Sequence, residues 1–485
     1  MQLLATLAAG LMALSATAIG LHVLAWVHLL WLRRGRCTAP PPPPLEGDTL
    51  PALTLQLPLY NESSVAEELL ECCSKLDWPD LEIQVLDDST DGTVDVVAAK
   101  VAALQAEGLD IVHLRRVRRE GFKAGALAEG LKTARGELIA ILDADFRPDP
   151  TWLRRAAACL GPQDGLVQCR WAFRNPRVSV LTRAQALHLD AHFALEQEAR
   201  SSGGLLMGFN GTAGIWRRDC IEAAGGWEGD TLTEDLDLSY RAQIAGWRLR
   251  YVDEIVVLSD LPEALGAVRA QQHRWIRGGA QVARKLLVSL WSHPLPLRRK
   301  LQGTAHLLAS SVFLPVLALC VITPALPLIQ PEVGFTGQLL LGYAGWLLRG
   351  VLLVLVTAYA TVCVHRADGL GKGLARLVRD LPPFMALVTA ICVHDAWAAL
   401  LGWVGPTGTF VRTPKGLQPV SRTLPGGLVL ETGLALWSWV GLGLGLLGHQ
   451  WALLPFLGFQ AAAFTALVVL TLRAPPAPKL PLPAA

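Results

Sequence analysis

Charge is scarce in this chain of 485 residues: Asp, Glu, Lys and Arg together make up 17%, against 52% hydrophobic residues, and the mean hydropathy is +0.37. That scarcity excludes disorder and argues against a purely soluble protein. Paired cysteines are lacking as well. The nine cysteines are scattered apart from Cys72 and Cys73 and form no C-x-x-C pair, so neither a zinc site nor a disulfide framework is indicated. Nothing resembles the basic stripe of a nucleic-acid binder, and nucleic acid is not expected as a partner. No G-x-G-x-x-G follows the first strand candidate, which disfavours a dinucleotide-binding fold.

The charges present are unevenly placed. Between Glu46 and Lys300 lie 36 of the 41 acids but only 30 of the 43 Lys and Arg, a net −6, while the remaining segments sum to +8. An acidic block is therefore held between apolar segments whose few charges are mostly positive. Residues 1–36 read as a retained transmembrane anchor rather than a signal peptide, since Leu3 to Leu32 is uncharged, too long, and followed by Arg33, Arg34 and Arg36. Residues 37–50 hold a five-proline run and read as a stiff linker. From 51 to 264, short apolar runs (53–57, 81–86, 110–114, 137–142, 165–173, 255–258) alternate with helical patterns, as in a mostly parallel α/β sheet with its ligand at the carboxyl ends of the strands. Residues 265–300 read as an amphipathic interfacial helix, with Trp275, Val282, Leu286 and Leu290 on one side.

Residues 301–365 and 426–473 each supply two transmembrane helices, and 474–485 form a Pro-rich tail. The segment 366–425 is predicted to be interfacial, because only then do the cationic clusters all fall on one side. Pro382, Pro383, His394 and Asp395 fit such an interfacial or re-entrant segment. The expected topology is five spans with the α/β domain in the cytosol. Arg349, inside a span, is read as lining a polar path.

Several residues could carry chemistry. Asp87 and Asp88 end an apolar run, either pointing into a ligand crevice or capping a turn. Asp143 and Asp145, two apart after Leu138 to Leu142, share one face of an extended strand and suit a hard cation that shares its coordination with water and a diphosphate. Glu234 and Asp235 open a helix, where acids are ordinary, or present a general base. Lys123 could reach a diphosphate, Arg274 could pair with phosphate oxygens, and the indole of Trp275 could stack on a sugar.

Taken together, Leu-Pro-Leu-Tyr-Asn-Glu (57–62), Asp87 and Asp88, Lys-Ala-Gly-Ala-Leu (123–127), Asp-Ala-Asp (143–145), Thr-Glu-Asp (233–235) and Gln-Gln-His-Arg-Trp (271–275) resemble the family 2 glycosyltransferases of the cellulose synthase superfamily. Gln-Val-Leu-Asp-Asp-Ser-Thr-Asp (84–91) and Phe-Asn-Gly-Thr-Ala-Gly (209–214) look most like the glucomannan and mannan synthase branch. The resemblance implies a GT-A α/β domain, mostly parallel and Rossmann-like, inserted between transmembrane helices. It implies inverting transfer of a hexose from a nucleotide sugar (GDP-mannose or UDP-glucose) to a β-linked polysaccharide, with translocation through the helices. The alternative is a single transfer to a lipid, since ceramide glucosyltransferases share the pattern.

By the same resemblance Asp235, with Glu234 beside it, is catalytic, and Asp143 and Asp145 hold Mg²⁺ or Mn²⁺. Tyr60, Glu62, Asp87, Asp88, Lys123, Asp143 and Arg274 contact the nucleotide sugar, while Gln271, Trp275, Asn210 and Gly211 shape the acceptor site. Phe410, Thr413 and Lys415 look like a gating loop over the nucleotide, although Arg412 stands where that pattern has Val. The expected location is a cell or inner membrane, with a bilayer and polysaccharide or lipid acceptor as partners and accessory export subunits left open.

Overall fold

The computed structural model describes residues 2–34, 40–408 and 427–473. Helix α1 (Gln2–Arg34) precedes an α/β domain of β1 (Leu53–Leu59), α2 (Ser63–Cys73), β2 (Leu81–Asp87), α3 (Thr93–Ala106), β3 (Ile111–Arg115), α4 (Phe122–Thr133), β4 (Leu138–Ile141), α5 (Trp152–Ala158), β5 (Asp164–Phe173), α6 (Val180–Ala191), α7 (Glu198–Ser202), β6 (Gly214–Arg217), α8 (Arg218–Ala223), α9 (Glu234–Ile244) and β7 (Arg248–Ser259). The strands form one sheet in the order β3-β2-β1-β4-β6-β5-β7. All neighbours are parallel except β6, which runs antiparallel to β4 and β5.

The central strands are apolar on both faces because helices cover both. Along β4, Leu138 and Ala140 pack into one core with Leu55, Leu69, Val97 and Trp152, while Ile139 and Ile141 pack into a second with Leu166, Trp216 and Leu238. Buried polar groups on β1 and β2 answer one another: Thr54 Oγ1 donates to Glu82 Oε2 at 2.6 Å and Gln56 Nε2 to Gln84 Oε1 at 3.1 Å.

Sequence periodicity locates six strands and four helices close to their observed positions, but not β6 or the first half of β7. Strand β6 has four residues, too few for a period, and is extended only because β4 and β5 hydrogen-bond it on both sides. The start of β7 alternates exposed Arg248 and Arg250 with buried Leu249 and Tyr251, the pattern of an edge strand.

Beyond the sheet lie α10 (Leu265–Ser292), α11 (Leu297–Leu307), α12 (Phe313–Ile322), α13 (Leu326–Ile329), α14 (Phe335–His365), α15 (Leu370–Val404), α16 (Gly427–Leu447) and α17 (Leu454–Arg473). Among the described residues, six helical segments are long and apolar enough to cross a membrane: 2–34, 309–329, 335–365, 370–404, 427–447 and 454–473. The apolar stripe of α10 is covered by protein, since Val282, Leu286 and Leu290 pack with Leu206, Tyr240 and Leu307. Trp275 instead joins Ala186, Leu189 and Leu261.

The twin prolines do not break α15, which runs through them for 35 residues. It is flanked by protein along its length. Arg376 Nη2 donates to Asp190 at 2.6 Å, Arg183 lies 3.3 Å from Asp380, and Arg284 Nη1 donates to Trp403 O at 3.0 Å. Arg349 corrects the sequence reading: it lies on the outward side of α14, its guanidinium 5.1 Å over the exposed Trp346 ring. The reason is helical phase, because the inward stripe of α14 passes through Ala344, Val351 and Ala358.

One close contact ties α10 to the sheet domain. A Cβ at Gly278 would lie 2.5 Å from Thr233 Cγ2, at the residue that starts α9. Gly278→Ala is therefore expected to cost about 1–3 kcal/mol by overpacking, lowering the melting temperature of the detergent-solubilised chain. Gly350→Ala, with nothing within 4 Å, leaves it unchanged or higher.

Candidate active site

The carboxyl ends of the parallel strands open on a cleft that gathers most of the residues singled out from the sequence. Its lining includes Tyr60 and Glu62 beyond β1, Asp88 beyond β2, Asp143 and Asp145 beyond β4, and Asn210 and Gly211 before the antiparallel β6. Lys123 comes from the first turn of α4, Glu234 and Asp235 from the first turn of α9, and Gln271, Arg274 and Trp275 from the second and third turns of α10.

Lys123 is the hub. Its Nζ donates to Asp143 Oδ1 at 2.6 Å and to Gly211 O at 2.8 Å, and lies 4.0 Å from Glu234 Oε1. The ammonium is largely enclosed; burial works against its charge, yet Asp143 and Glu234 hold its pKa above the usual lysine value. Glu234 is buried and Asp235, beside it, is partly buried. Desolvation raises both carboxyls, Glu234 to about 7, with Asp235 as the next contributor to the Glu234 shift and Lys123 opposing it. Gly211 has φ of +80° and a Cβ there would sit 2.8 Å from Asp235 Oδ2, so no side chain fits between this turn and the carboxylate.

The adjacent acids at the end of β2 part company. Asp88 lines the cleft and receives Arg116 through both oxygens, at 2.9 and 2.5 Å. Asp87 is not brought to the cleft lining. Its side chain turns inward, where His113 Nε2 lies 2.9 Å from Oδ2 and Ser89 N donates to Oδ1 at 2.8 Å. Burial alone would raise its pKa, but the His113 and Ser89 hydrogen bonds hold it below the usual carboxylate value. Alternation along an extended strand is the reason, since neighbouring side chains point to opposite faces. Phe410, Thr413 and Lys415 lie outside the described residues.

The structure adds groups that sequence reading passed over. Arg119 stacks its guanidinium 3.4 Å from the Tyr60 ring centroid and lines the cleft; its only sequence signal is a run of four arginines, 115, 116, 118 and 119. Beneath Asn210, residues His192–Gln197 form a π-helical turn. Gln197 Nε2 donates to Asn210 Oδ1 at 2.5 Å, Asn210 Nδ2 donates to His192 Nε2 at 2.7 Å, and His192 Nδ1 lies 3.2 Å from Glu196 Oε2. This holds the Asn210 amide in one orientation. A π-turn has no simple period, so the sequence carries little sign of it.

Asp143 and Asp145 suit a hard divalent cation. The Asp143 carboxylate is half exposed toward the cleft, and Ser259 Oγ donates to Asp145 Oδ2 at 3.0 Å, steadying one oxygen of the second acid. A separate acidic triad, Glu228, Asp230 and Asp237, already surrounds Lys285 Nζ at 2.5, 2.7 and 3.0 Å, so a protein cation answers its charge.

The mostly parallel sheet with its acidic cleft at the carboxyl ends defines a GT-A glycosyltransferase domain. Residues 51–278 match the family described as Glycosyltransferase like family 2. Among the relatives, glucomannan 4-beta-mannosyltransferase 1 of Oryza sativa subsp. japonica is 41% identical over 53% of this chain and 51% of its own length. Glucomannan 4-beta-mannosyltransferases 7 and 2 of Arabidopsis thaliana are 40% and 43% identical over 58% and 51% of this chain, and 53% and 48% of theirs. The chain thus spans about half the length of the curated relatives it matches. The fold is also that of the mannosyltransferase PcManGT from Pyrobaculum calidifontis, solved with GDP-Man and Mn²⁺ (TM-score 0.52, 23% identity, 76% of this chain and 99% of that one).

The raised Glu234 carboxyl makes stability depend on pH. The folded protein holds this proton more tightly than the unfolded chain, so stability falls as pH rises from 4.5 to about 7. Without donor or divalent cation, Glu234→Gln is expected to melt roughly 2–4 °C above the parent protein at pH 8. The two converge near pH 5, as scanning calorimetry or intrinsic fluorescence will read.

Proposed function

We propose that this chain is a membrane-embedded inverting hexosyltransferase that takes a hexose from a nucleotide sugar and adds it to a growing β-linked polysaccharide of the mannan or glucomannan type. The observation that carries this reading is the convergence of Asp143, Asp145, Lys123, Asp235, Arg274 and Trp275 on one cleft of a family 2 domain. GDP-mannose is the favoured donor, since the relatives are mannosyltransferases by name; UDP-glucose is the second choice.

In this mechanism Asp235 is the general base. Its burial raises its pKa toward the working pH, which suits a group that must take a proton from an acceptor hydroxyl and give it up again. The freed oxygen attacks the anomeric carbon from the face opposite the nucleotide, forming the new glycosidic bond as the bond to the diphosphate breaks, and the configuration inverts. A Mg²⁺ or Mn²⁺ held by Asp143 and Asp145 supplies charge neutralisation for the departing diphosphate. Lys123 and Arg274 add cationic groups beside it, preorganised so that little reorientation is needed as charge develops. Trp275 offers its indole face to a sugar ring, and Asn210, fixed by His192 and Gln197, offers an oriented amide beside Asp235.

The reading extends to topology: five spans, the α/β domain in the cytosol, and α15 lying along the interface. Support comes from α15 itself, whose first half pairs with Asp190 and Arg183 of α6 and whose end meets Arg284 of α10. A 35-residue helix is about 50 Å long, and one tied to α6 in its first half and to α10 at its end runs along the bilayer surface. Passage of the polymer through α1, α12, α14, α16 and α17 belongs to the same proposal.

Purified protein with Mn²⁺ and labelled GDP-mannose should yield an alcohol-insoluble polymer, and Asp235→Asn should lower its formation about 100- to 10,000-fold while donor binding by calorimetry is kept. A lipid-extractable monoglycoside as the sole labelled product overturns the polysaccharide reading. Unchanged turnover in Asp235→Asn overturns the role of that carboxylate.

A further inference from the structure

At the amino ends of the strands, opposite the cleft, lies a second cavity of about 710 Å³. Strand β7 runs from one to the other, Ser259 lining the cleft and Arg248 to Val252 lining this cavity. Four arginines converge on it. Arg248 and Arg250 stand two apart on β7 and so share a face, and Arg298 and Arg299 occupy the first turn of α11. Arg298 and Arg248 both depress the Arg299 guanidinium pKa after burial has done so, which shows how closely these cations approach.

The acids on the cavity wall do not balance them. Asp164 lies 3.5 Å from Arg248 and also accepts from Gly161 N. Glu254 is a second acid. The third, Glu198, has its pKa raised to about 7 by burial and by Asp253 and Glu254, so it is only partly charged at neutral pH. Arg299 Nε donates to Gly204 O at 2.6 Å. Among the described residues Arg250 and Arg298 have neither a hydrogen-bond nor an ion-pair partner. The cavity also receives the start of α11, an 11-residue helix that follows Pro296 and has no side-chain cap, so its positive dipole end adds to the arginines.

Packing sets the depth of this cavity. Gln302 of α11 donates to Ala25 O of α1 at 3.2 Å and meets His28 Nδ1 at 2.8 Å. The two helices run in opposite directions, so Arg298, one turn earlier, is level with the last turn of α1, where the apolar helix gives way to Arg33 and Arg34. Leu32 packs against Gly203 on the cavity rim. On the outer surface at the same level, Trp31, Leu297 and Leu301 are 67%, 63% and 54% exposed. A cationic cavity at headgroup depth thus adjoins an uncovered apolar surface.

We propose that this cavity is a binding site for the headgroup phosphate of an anionic phospholipid, with Arg250 and Arg298 as its principal contacts and Leu297, Leu301 and Trp31 flanking the acyl chains. The excess of arginine over carboxylate selects headgroups with no compensating amine. The site lies outside the proposed reaction and stands whether or not that reading holds.

Native mass spectrometry of the full chain, loaded from micelles with equal phosphatidylglycerol and phosphatidylcholine, tests it. The expected result is one phosphatidylglycerol retained in preference to phosphatidylcholine, with the preference falling roughly thirtyfold in Arg250→Gln/Arg298→Gln. It is unchanged in Arg177→Gln, an exposed arginine elsewhere. If the double variant fails to fold, Arg298→Gln alone against Arg298→Lys decides, the lysine keeping the preference and the glutamine weakening it. Equal retention of the two lipids overturns the proposal, as does an undiminished preference in a folded glutamine variant. Displacement of the lipid by millimolar inorganic phosphate also overturns it, marking a site for a free anion.

Discussion

The candidate site depends on one buried ammonium. Lys123 sits where the loops after β4 and before β6 and the start of α9 converge, and it bonds Asp143 and the Gly211 carbonyl while facing Glu234. Without it three buried or half-buried carboxylates would stand together with, among the described residues, Arg274 as the remaining cation acting on Glu234 and Asp235, a costly arrangement in a low-dielectric site. With it, Asp143 has an ion-pair partner in the cleft, and the desolvation that raises the pKa of Glu234 and Asp235 is partly opposed. The four acids thus form two pairs, Asp143 and Asp145 after β4, able to hold a metal, and Glu234 and Asp235 at the start of α9, raised in pKa by burial, with Lys123 reaching both. Asp145, steadied by Ser259 at the end of β7, ties that division back to the sheet.

The helical half of the molecule bears on the same site through α10. Its early turns present Gln271, Arg274 and Trp275 to the cleft, and Gly278, one turn on, touches Thr233 at the start of α9. Farther along, Ala280 lies against Gly402 of α15, and Arg284 bonds the Trp403 carbonyl. A shift of α15 would therefore be felt at Glu234 and Asp235 through a single packed helix. Arg269 of α10 forms a buried bidentate pair with Glu431 of α16, at 2.8 and 2.7 Å, which fixes the rotation of α10 against the helix bundle. Such pairs contribute less to net stability than to uniqueness of packing, since desolvation offsets much of their attraction.

Much of the α/β domain and its cleft was legible in the sequence. Apolar runs of four to six residues ending in acids, as at Asp88 and Asp143, are what a parallel strand buried on both faces looks like. What escaped had no local period: β6 is four residues held by its neighbours, and the π-turn at His192 is a departure from helical spacing. The two aspartates at 87 and 88 carry the same local signal, yet one faces the cleft and the other His113, because a strand alternates its faces. Arg349 was misread for a related reason. A charge within an apolar run signals cost, but only the packing of Ala344, Val351 and Ala358 on α1 shows that it faces outward.

The sequence by itself determined the class of fold, the long apolar segments and the identity of the acids, cations and aromatic side chains available for chemistry, because composition and period depend on neighbours a few residues apart. Tertiary structure decided which of those residues meet. Lys123 reaches Asp143 across 20 positions and Gly211 across 88, and Arg269 reaches Glu431 across 162. It also made the second cavity, since Arg250 and Arg298 come together only when β7 is laid against α11. Electrostatic interactions act through space, and where each charge ends is set by the packing of the sheet on its helices.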